Sequence, residues 1–353
     1  MLRIHGLFVS LLLALAPVSA HAEGGVLAVV APKDGPFAEL GNQVRAGAKQ
    51  LADEKRLKLT DIAETCDAGS GKTLAEAILK AKASAAIGFL CGDSLDGAGE
   101  ALKSAAIPAL SVSVHSKILF EDAAKEGWPF FTLAPSFEQQ ADTLAEAIVS
   151  QWQGAPFSMI EDGTLPAREL ADAVKTRLED KGLKPVSSET IRPGQDNQLA
   201  LLRRLVKAGV SHALFTGDRT DAAILQRDAA TESAELILLG GEAMNAADGT
   251  IRLADGALAV MVPEVPPAAS VLAETFRRSG IRPEGYVIPT YSAALIAAEA
   301  VSAAQTSGKT VAVELAGRRF ETPLGSFSFH AGQPANNPYA LMIWQGDAFQ
   351  PVP

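Results

Sequence analysis

The chain has 353 residues, of which 48% are apolar and 20% charged, with a formal net charge of −10. That composition excludes a disordered, collagen-like or disulfide-dense chain, and the length suits about two domains. A pI near 5.1 argues against a nucleic-acid partner, whose phosphates call for clustered Lys and Arg.

Residues 1–22 read as a secretory leader outside the fold. Arg3 supplies the positive end, Leu7–Ala16 is almost wholly apolar, and Ala20-His21-Ala22 is a small-x-small cleavage site. The apolar run is too short to span a membrane. Cleavage would make Glu23 the first residue, and the loss of Arg3 would take the formal charge from −10 to −11. No Cys lies near the cleavage point, so no lipid anchor is indicated.

Short β-type runs then alternate with longer amphipathic runs. Strands are expected at Val26–Ala31, Leu57–Glu64, Ala85–Leu90 and Ala109–Val112, with helices at Phe37–Glu54, Thr73–Ala83 and Leu95–Ala106. The rhythm restarts after Pro135. Helices are expected at Glu138–Gln151, Ala167–Lys181, Asn197–Ala208 and Asp221–Ala230, with strands at Phe157–Glu161, Val186–Ile191, Ser211–Thr216 and Glu235–Leu239. Such alternation predicts parallel sheets covered by helices. The Pro-rich Val262–Pro267 breaks the rhythm and reads as a linker or crossing. Helices follow at Val271–Ser279 and Thr290–Thr306. The tail alternates like antiparallel strands at Gly325–Phe329 and Tyr339–Trp344, with turn chemistry at Gly332–Asn337.

The two Cys, Cys66 and Cys91, read as a disulfide in an exported chain. Gly69-Ser70-Gly71-Lys72-Thr73 looks like a phosphate loop, but the earlier Gly that motif needs is Cys66 here; Ser70 reads instead as a helix cap. There is no G-x-S-x-G, H-E-x-x-H or C-x-x-C, and no two His stand at ligand spacing. Neither an enzyme nor a metal or cofactor is indicated.

Several segments, in order and spacing, resemble the type I periplasmic binding proteins, most of all their leucine/isoleucine/valine-binding branch. They are Gly35-Pro36-Phe37-Ala38-Glu39-Leu40-Gly41 with Gly47-Ala48, Cys66-Asp67, Gly88-Phe89-Leu90-Cys91, Phe130-Phe131-Thr132 with Pro135, Gly240-Gly241-Glu242, Tyr291-Ser292-Ala293-Ala294 and Thr322-Pro323-Leu324-Gly325 with Phe327 and Phe329. The resemblance implies an α/β fold of two doubly wound parallel-sheet lobes joined by a three-strand hinge. One lobe would comprise 23–136 plus 263–327 and the other 137–262 plus 328–353, with crossings near 133–137, 262–267 and 322–328. It also implies a periplasmic receptor that holds an amino acid or similar small solute between the lobes and delivers it to an inner-membrane ABC permease. The expected state is a monomer without cofactor. Ligand sensing for a regulatory system is the other role this fold serves.

For site residues, the resemblance makes Glu242 the carboxylate that binds the ligand's ammonium. On the carboxylate side, Gly92 and His115 stand where the family has hydroxyl residues. Backbone N–H groups at Gly92-Asp93-Ser94 and Ser113-Val114 are then the expected donors, with Ser94 also a possible helix cap and His115 a possible pH-sensitive contact. Leu40 and Pro166 replace family aromatics around the ligand side chain, and Asp218 stands near a third. Asp218 and Arg219 either face the cleft, favouring a more polar ligand, or form a surface ion pair.

Overall fold

The structure is a computed structural model that describes residues 25–67, 69–246 and 251–352; the expected leader lies outside the described residues. In the first half, β1 (Val26–Ala31), α1 (Ala38–Lys55), β2 (Lys58–Ala63), α2 (Gly71–Lys80), β3 (Ala83–Gly88), α3 (Gly92–Ser104), β4 (Ala109–Ser111), α4 (Lys117–Glu126) and β5 (Phe130–Thr132) alternate strictly. The chain then passes through 133–136 into α5 (Phe137–Gln151), β6 (Phe157–Glu161), α6 (Leu165–Asp180), β7 (Ser188–Thr190), α7 (Leu199–Lys207), β8 (His212–Phe215), α8 (Arg219–Thr231), β9 (Ile237–Gly240) and β10 (Leu258–Met261). Every expected strand and helix of these halves is present within a few residues. The short α4, β5 and β10 are additions that the sequence pattern did not bring out.

The two sheets share one plan. The first is parallel in the order β2-β1-β3-β4-β5. The second repeats it as β7-β6-β8-β9-β10, again parallel. β1 is buried along nearly its whole length, which is why its Val-rich run has no polar alternation. In each sheet the strand order reverses beside the first strand, so a crevice opens at the carboxyl ends of β1/β3 and of β6/β8.

After β10 the chain leaves the second sheet through the Pro-rich stretch and builds α9 (Ser270–Arg278), α10 (Val287–Ser307) and α11 (Val311–Gly317). Ala293, Ala294, Ile296, Ala297 and Ala300 of α10 share the first sheet's core with Leu27, Val29, Val44 and Ile87. α10 is long and apolar enough to cross a membrane by composition, but about two thirds of that stretch is buried in this core. It lies close on α1 because Gly47 has no side chain: a methyl there would come within 2.1 Å of the Val287 carbonyl oxygen.

The tail corrects two expectations. Gly325–Phe329 and Tyr339–Trp344 do not pair with each other. β11 (Phe320–Thr322) pairs with β12 (Gly325–Phe327), and β13 (Phe329–His330) with β14 (Gln333–Pro334). β15 (Ala340–Gln345) lies antiparallel to both β10 and β16 (Ala348–Pro351). The third passage is also later than 322–328. Phe327 and Phe329 pack in the first sheet's core, and Thr132 N–H donates to the Gly332 carbonyl. The chain therefore changes sheets between 335 and 339. Phe320, Phe327 and Phe329, all in that core, with Phe131 edge-on to Phe329, hold the earlier stretch back. A third correction is local: Ser70 precedes α2, but its hydroxyl donates to the Thr65 carbonyl and caps nothing.

Candidate functional site

At the first crevice the chain turns tightly. Gly88 (φ 109°) and Phe89 (φ 55°) both occupy left-handed backbone. A side chain on Gly88 would come within 2.2 Å of the Val30 carbonyl, and Phe89 accepts the strained conformation because its ring is fully buried. The turn delivers Cys91 to its disulfide with Cys66, with Cα atoms 5.4 Å apart. The bond ties the end of β2 to the start of α3, as expected.

Beside it lies Glu64, a residue the sequence reading passed over. It is 3% exposed, and its carboxylate accepts from Leu90 N–H (2.8 Å), Cys91 N–H (3.2 Å) and the Ser94 hydroxyl (2.5 Å). Burial pushes its carboxyl above the usual range, against these three hydrogen bonds. Ser94 is thus neither a helix cap nor open to the crevice: it is fully buried in the first turn of α3, with its hydroxyl on Glu64 and the Cys91 carbonyl.

The loop after β4 is similarly self-contained. Ser113 N–H and Val114 N–H both donate to the Ser111 hydroxyl oxygen, so these two expected donors are already engaged. Ser111 in turn donates to the Phe89 carbonyl, and Tyr286 donates its hydroxyl to Ser113 Oγ (2.9 Å). His115 is exposed, with Nδ1 2.9 Å from the Ser113 carbonyl. Gly92 and Asp93 open α3 at the rim of this crevice, and Leu40 lies half-buried in the first turn of α1.

At the second crevice Asp218 caps α8, accepting from Asp221 N–H (2.9 Å). Its neighbour Arg219 stacks on Trp344 at 4.9 Å, so of the two expected readings, facing the cleft or a surface ion pair, the second gives way to a cap and a cation–π contact. Pro166 is exposed in the first turn of α6, behind the cap Thr164. Glu242 follows the Gly240-Gly241 corner after β9. One of its oxygens accepts from Val262 N–H (3.0 Å) in the second crossing, and the other from Asn245 Nδ2 (3.1 Å). Burial raises its carboxyl above the usual range, and its charge in turn helps to raise Tyr339, whose phenol is also desolvated. No cation pairs with Glu242 among the described residues. A half-buried carboxylate without one can take a ligand's positive charge.

Topology therefore gathers Leu40, Gly92, Asp93, Ser94, Ser113, Val114 and His115 at the carboxyl ends of one sheet, and Pro166, Asp218 and Glu242 at those of the other. A cavity of about 480 Å³ lined by Leu324, Ser326, Ser328, Asn336 and Asn337 near the third passage contains none of them. Besides Glu64, the sequence reading passed over Gln140, whose Nε2 lies beside Gly241, Thr216 just after β8, and Tyr339, which feels the charge of Glu242. Gln140 had a legible signal: it is a polar residue on the apolar stripe of α5 formed by Ala141, Leu144 and Ile148.

Residues 26–348 match the family described as periplasmic binding protein. A leucine-, isoleucine-, valine-, threonine- and alanine-binding protein of Pseudomonas aeruginosa is 24% identical, over 98% of this chain and 97% of its own. The fold is shared with a putative branched-chain amino acid ABC transporter structure from Rhodospirillum rubrum (TM-score 0.81, 15% identity, covering 93% of this chain and all of that one). It is also shared with a substrate-binding protein from Desulfitobacterium hafniense in complex with Leu (TM-score 0.71, 20% identity, covering 93% and 99%).

Proposed function

The chain belongs to the periplasmic binding protein family, and on that premise we propose that it is the solute receptor of an ABC importer. It binds an amino acid or related amine-bearing solute between its two lobes, without turnover, and hands it to a membrane permease. The lobes of this reading are 23–136 with 263–334, and 137–262 with 335–353. The chain is exported to the periplasm, with residues 1–22 as the cleaved leader.

The observation that carries the reading is Glu242: a carboxylate held by Val262 N–H and Asn245, raised by burial, without a cation, at the strand ends of the second sheet. An ammonium placed there would gain a charge-assisted bond in a partly desolvated site. On the first lobe, the N–H groups of Gly92 and Asp93 at the start of α3 favour a negative group.

Thermal shift on the mature protein tests this, with L-leucine, L-threonine, L-glutamine and the matching amines and organic acids as probes. A probe at about 100 times its Kd stabilises by about 2.7 kcal/mol, roughly 4 °C for this length. Glu242→Ala is expected to abolish the shift from every ammonium-bearing probe. Shifts by organic acids alone, or shifts unaffected by Glu242→Ala, refute the ammonium role.

A further inference from the structure

Two polar side chains lie unpaired beside the Gly240-Gly241-Glu242 corner. Gln140 is 6% exposed and Thr216 2%, yet Gln140 Nε2 and Thr216 Oγ1 have no hydrogen-bond partner among the described residues. Trp128, Thr290, Ser292, Asn336 and Trp344 also carry such an atom, but Gln140 and Thr216 stand beside the Glu242 corner, where each forfeits its hydration and calls for a partner.

Both residues lie beside Gly241. A methyl on Gly241 would lie 3.1 Å from Gln140 Nε2 and 3.0 Å from Leu170 Cδ2, so only the absence of a side chain keeps that approach to the amide open. Thr216 follows β8, whose Phe215 stands beside Gly240, which puts Thr216 next to Gly241. Strand alternation turns Thr216 to the side of Leu214, which packs with Leu144 of α5 and Leu170 of α6. Tyr339 packs against the same cluster and feels the charge of Glu242. An amide donor and a hydroxyl thus flank Gly241 on one face, one residue before the carboxylate.

We propose that Gln140 and Thr216 are ligand-binding groups of the second lobe that select a solute carrying a hydroxyl or carboxamide close to its ammonium group. This rests on the receptor reading above. The amide of Gln140 needs an acceptor, the hydroxyl of Thr216 takes either partner, and a hydroxyl or carboxamide on the solute supplies both. An aliphatic side chain in their place would leave both protein groups buried and unpaired, the situation in which polar sites discriminate most strongly.

The test is isothermal titration of the mature protein, refolded to remove any co-purified solute, with L-leucine, L-threonine and L-glutamine. Gln140→Leu/Thr216→Val is measured alongside the wild type. The wild type is expected to bind threonine or glutamine at least about ten-fold tighter than leucine. The double variant is expected to lose that preference while its ligand-free melting temperature holds or rises, because two orphaned groups are gone. Thr216→Val alone, nearly the same shape, is expected to lower the preference at least about three-fold, which keeps the test open should the double variant not fold. Equal or tighter binding of leucine overturns the proposal and leaves the receptor reading standing. So does a preference that survives the substitutions with a lowered melting temperature, which marks the pair as structural. No binding of any of the three amino acids overturns the proposal too, and the wider probe set of the thermal-shift screen then decides the receptor reading separately.

Discussion

Removing the carboxylate of Glu64 is expected to destabilise the protein more than any surface substitution. Glu64→Ala leaves Leu90 N–H and Cys91 N–H without their acceptor, while the Ser94 hydroxyl keeps the Cys91 carbonyl at 2.9 Å. Two orphaned buried donors cost about 1–3 kcal/mol each, and the relief of no longer burying a carboxylate offsets part of it. The net loss is about 2–4 kcal/mol. Unfolding entropy of about 2.1 cal/mol/K per residue over roughly 330 residues converts this to a fall of about 3–6 °C in melting temperature. Glu64→Gln keeps one acceptor oxygen but turns an NH₂ toward one of the donors, so it is expected to fall between wild type and Ala. Differential scanning calorimetry of the three proteins, disulfide intact, measures this. An Ala variant within about 1 °C of wild type, or a Gln variant as unstable as Ala, would refute the assignment of Glu64 as the acceptor that organises the Gly88–Ser94 turn.

Two further outcomes follow from the same geometry. The Cys66–Cys91 bond closes a loop of 25 residues, for which the chain-entropy model gives about 3.5 kcal/mol; reduction or Cys66→Ser/Cys91→Ser is expected to lower the melting temperature by about 5 °C, and an unchanged temperature would count against that share of the stability. Glu64 and Glu242 are both raised by burial, so between the ordinary carboxylate pKa and their own the native state holds more protons than the unfolded chain. Ligand-free stability from these two groups therefore grows as pH falls through that window. Affinity for ammonium-bearing probes falls over the same interval, because binding needs Glu242 ionised. Titrations between pH 7 and pH 4.5 read both slopes, and parallel slopes would refute the role given to Glu242.

Much of this protein was legible in the chain because its determinants are local. The β-type runs and amphipathic runs, the Cys pair and the glycine-flanked Glu242 all sit within short windows; pattern gave parallel sheets covered by helices, and the family resemblance gave the two lobes and marked Glu242. Periodicity was least informative in the tail. There the antiparallel character of Gly325–Phe329 and Tyr339–Trp344 was visible but their partners were not, because a strand's pattern says which face is buried and not which strand lies beside it. The buried rings of Phe327 and Phe329 decided that, and moved the third passage beyond residue 334.

Part of the carboxylate side was hidden for a related reason. Ser94, Ser113 and Val114 stand in the right loops, but hydrogen bonds are allotted among groups distant in sequence. Glu64, 30 residues before Ser94, takes its hydroxyl, and Ser111 takes the N–H groups of Ser113 and Val114. Gln140, Thr216 and Glu242 likewise come from a helix and two strand ends that meet only when the second sheet forms. By itself the sequence determined the elements and the family resemblance, since each is written in neighbouring residues. Which polar groups are satisfied inside the protein, and which are left for a ligand, was decided by tertiary structure, because that balance exists only once distant donors and acceptors share a desolvated space.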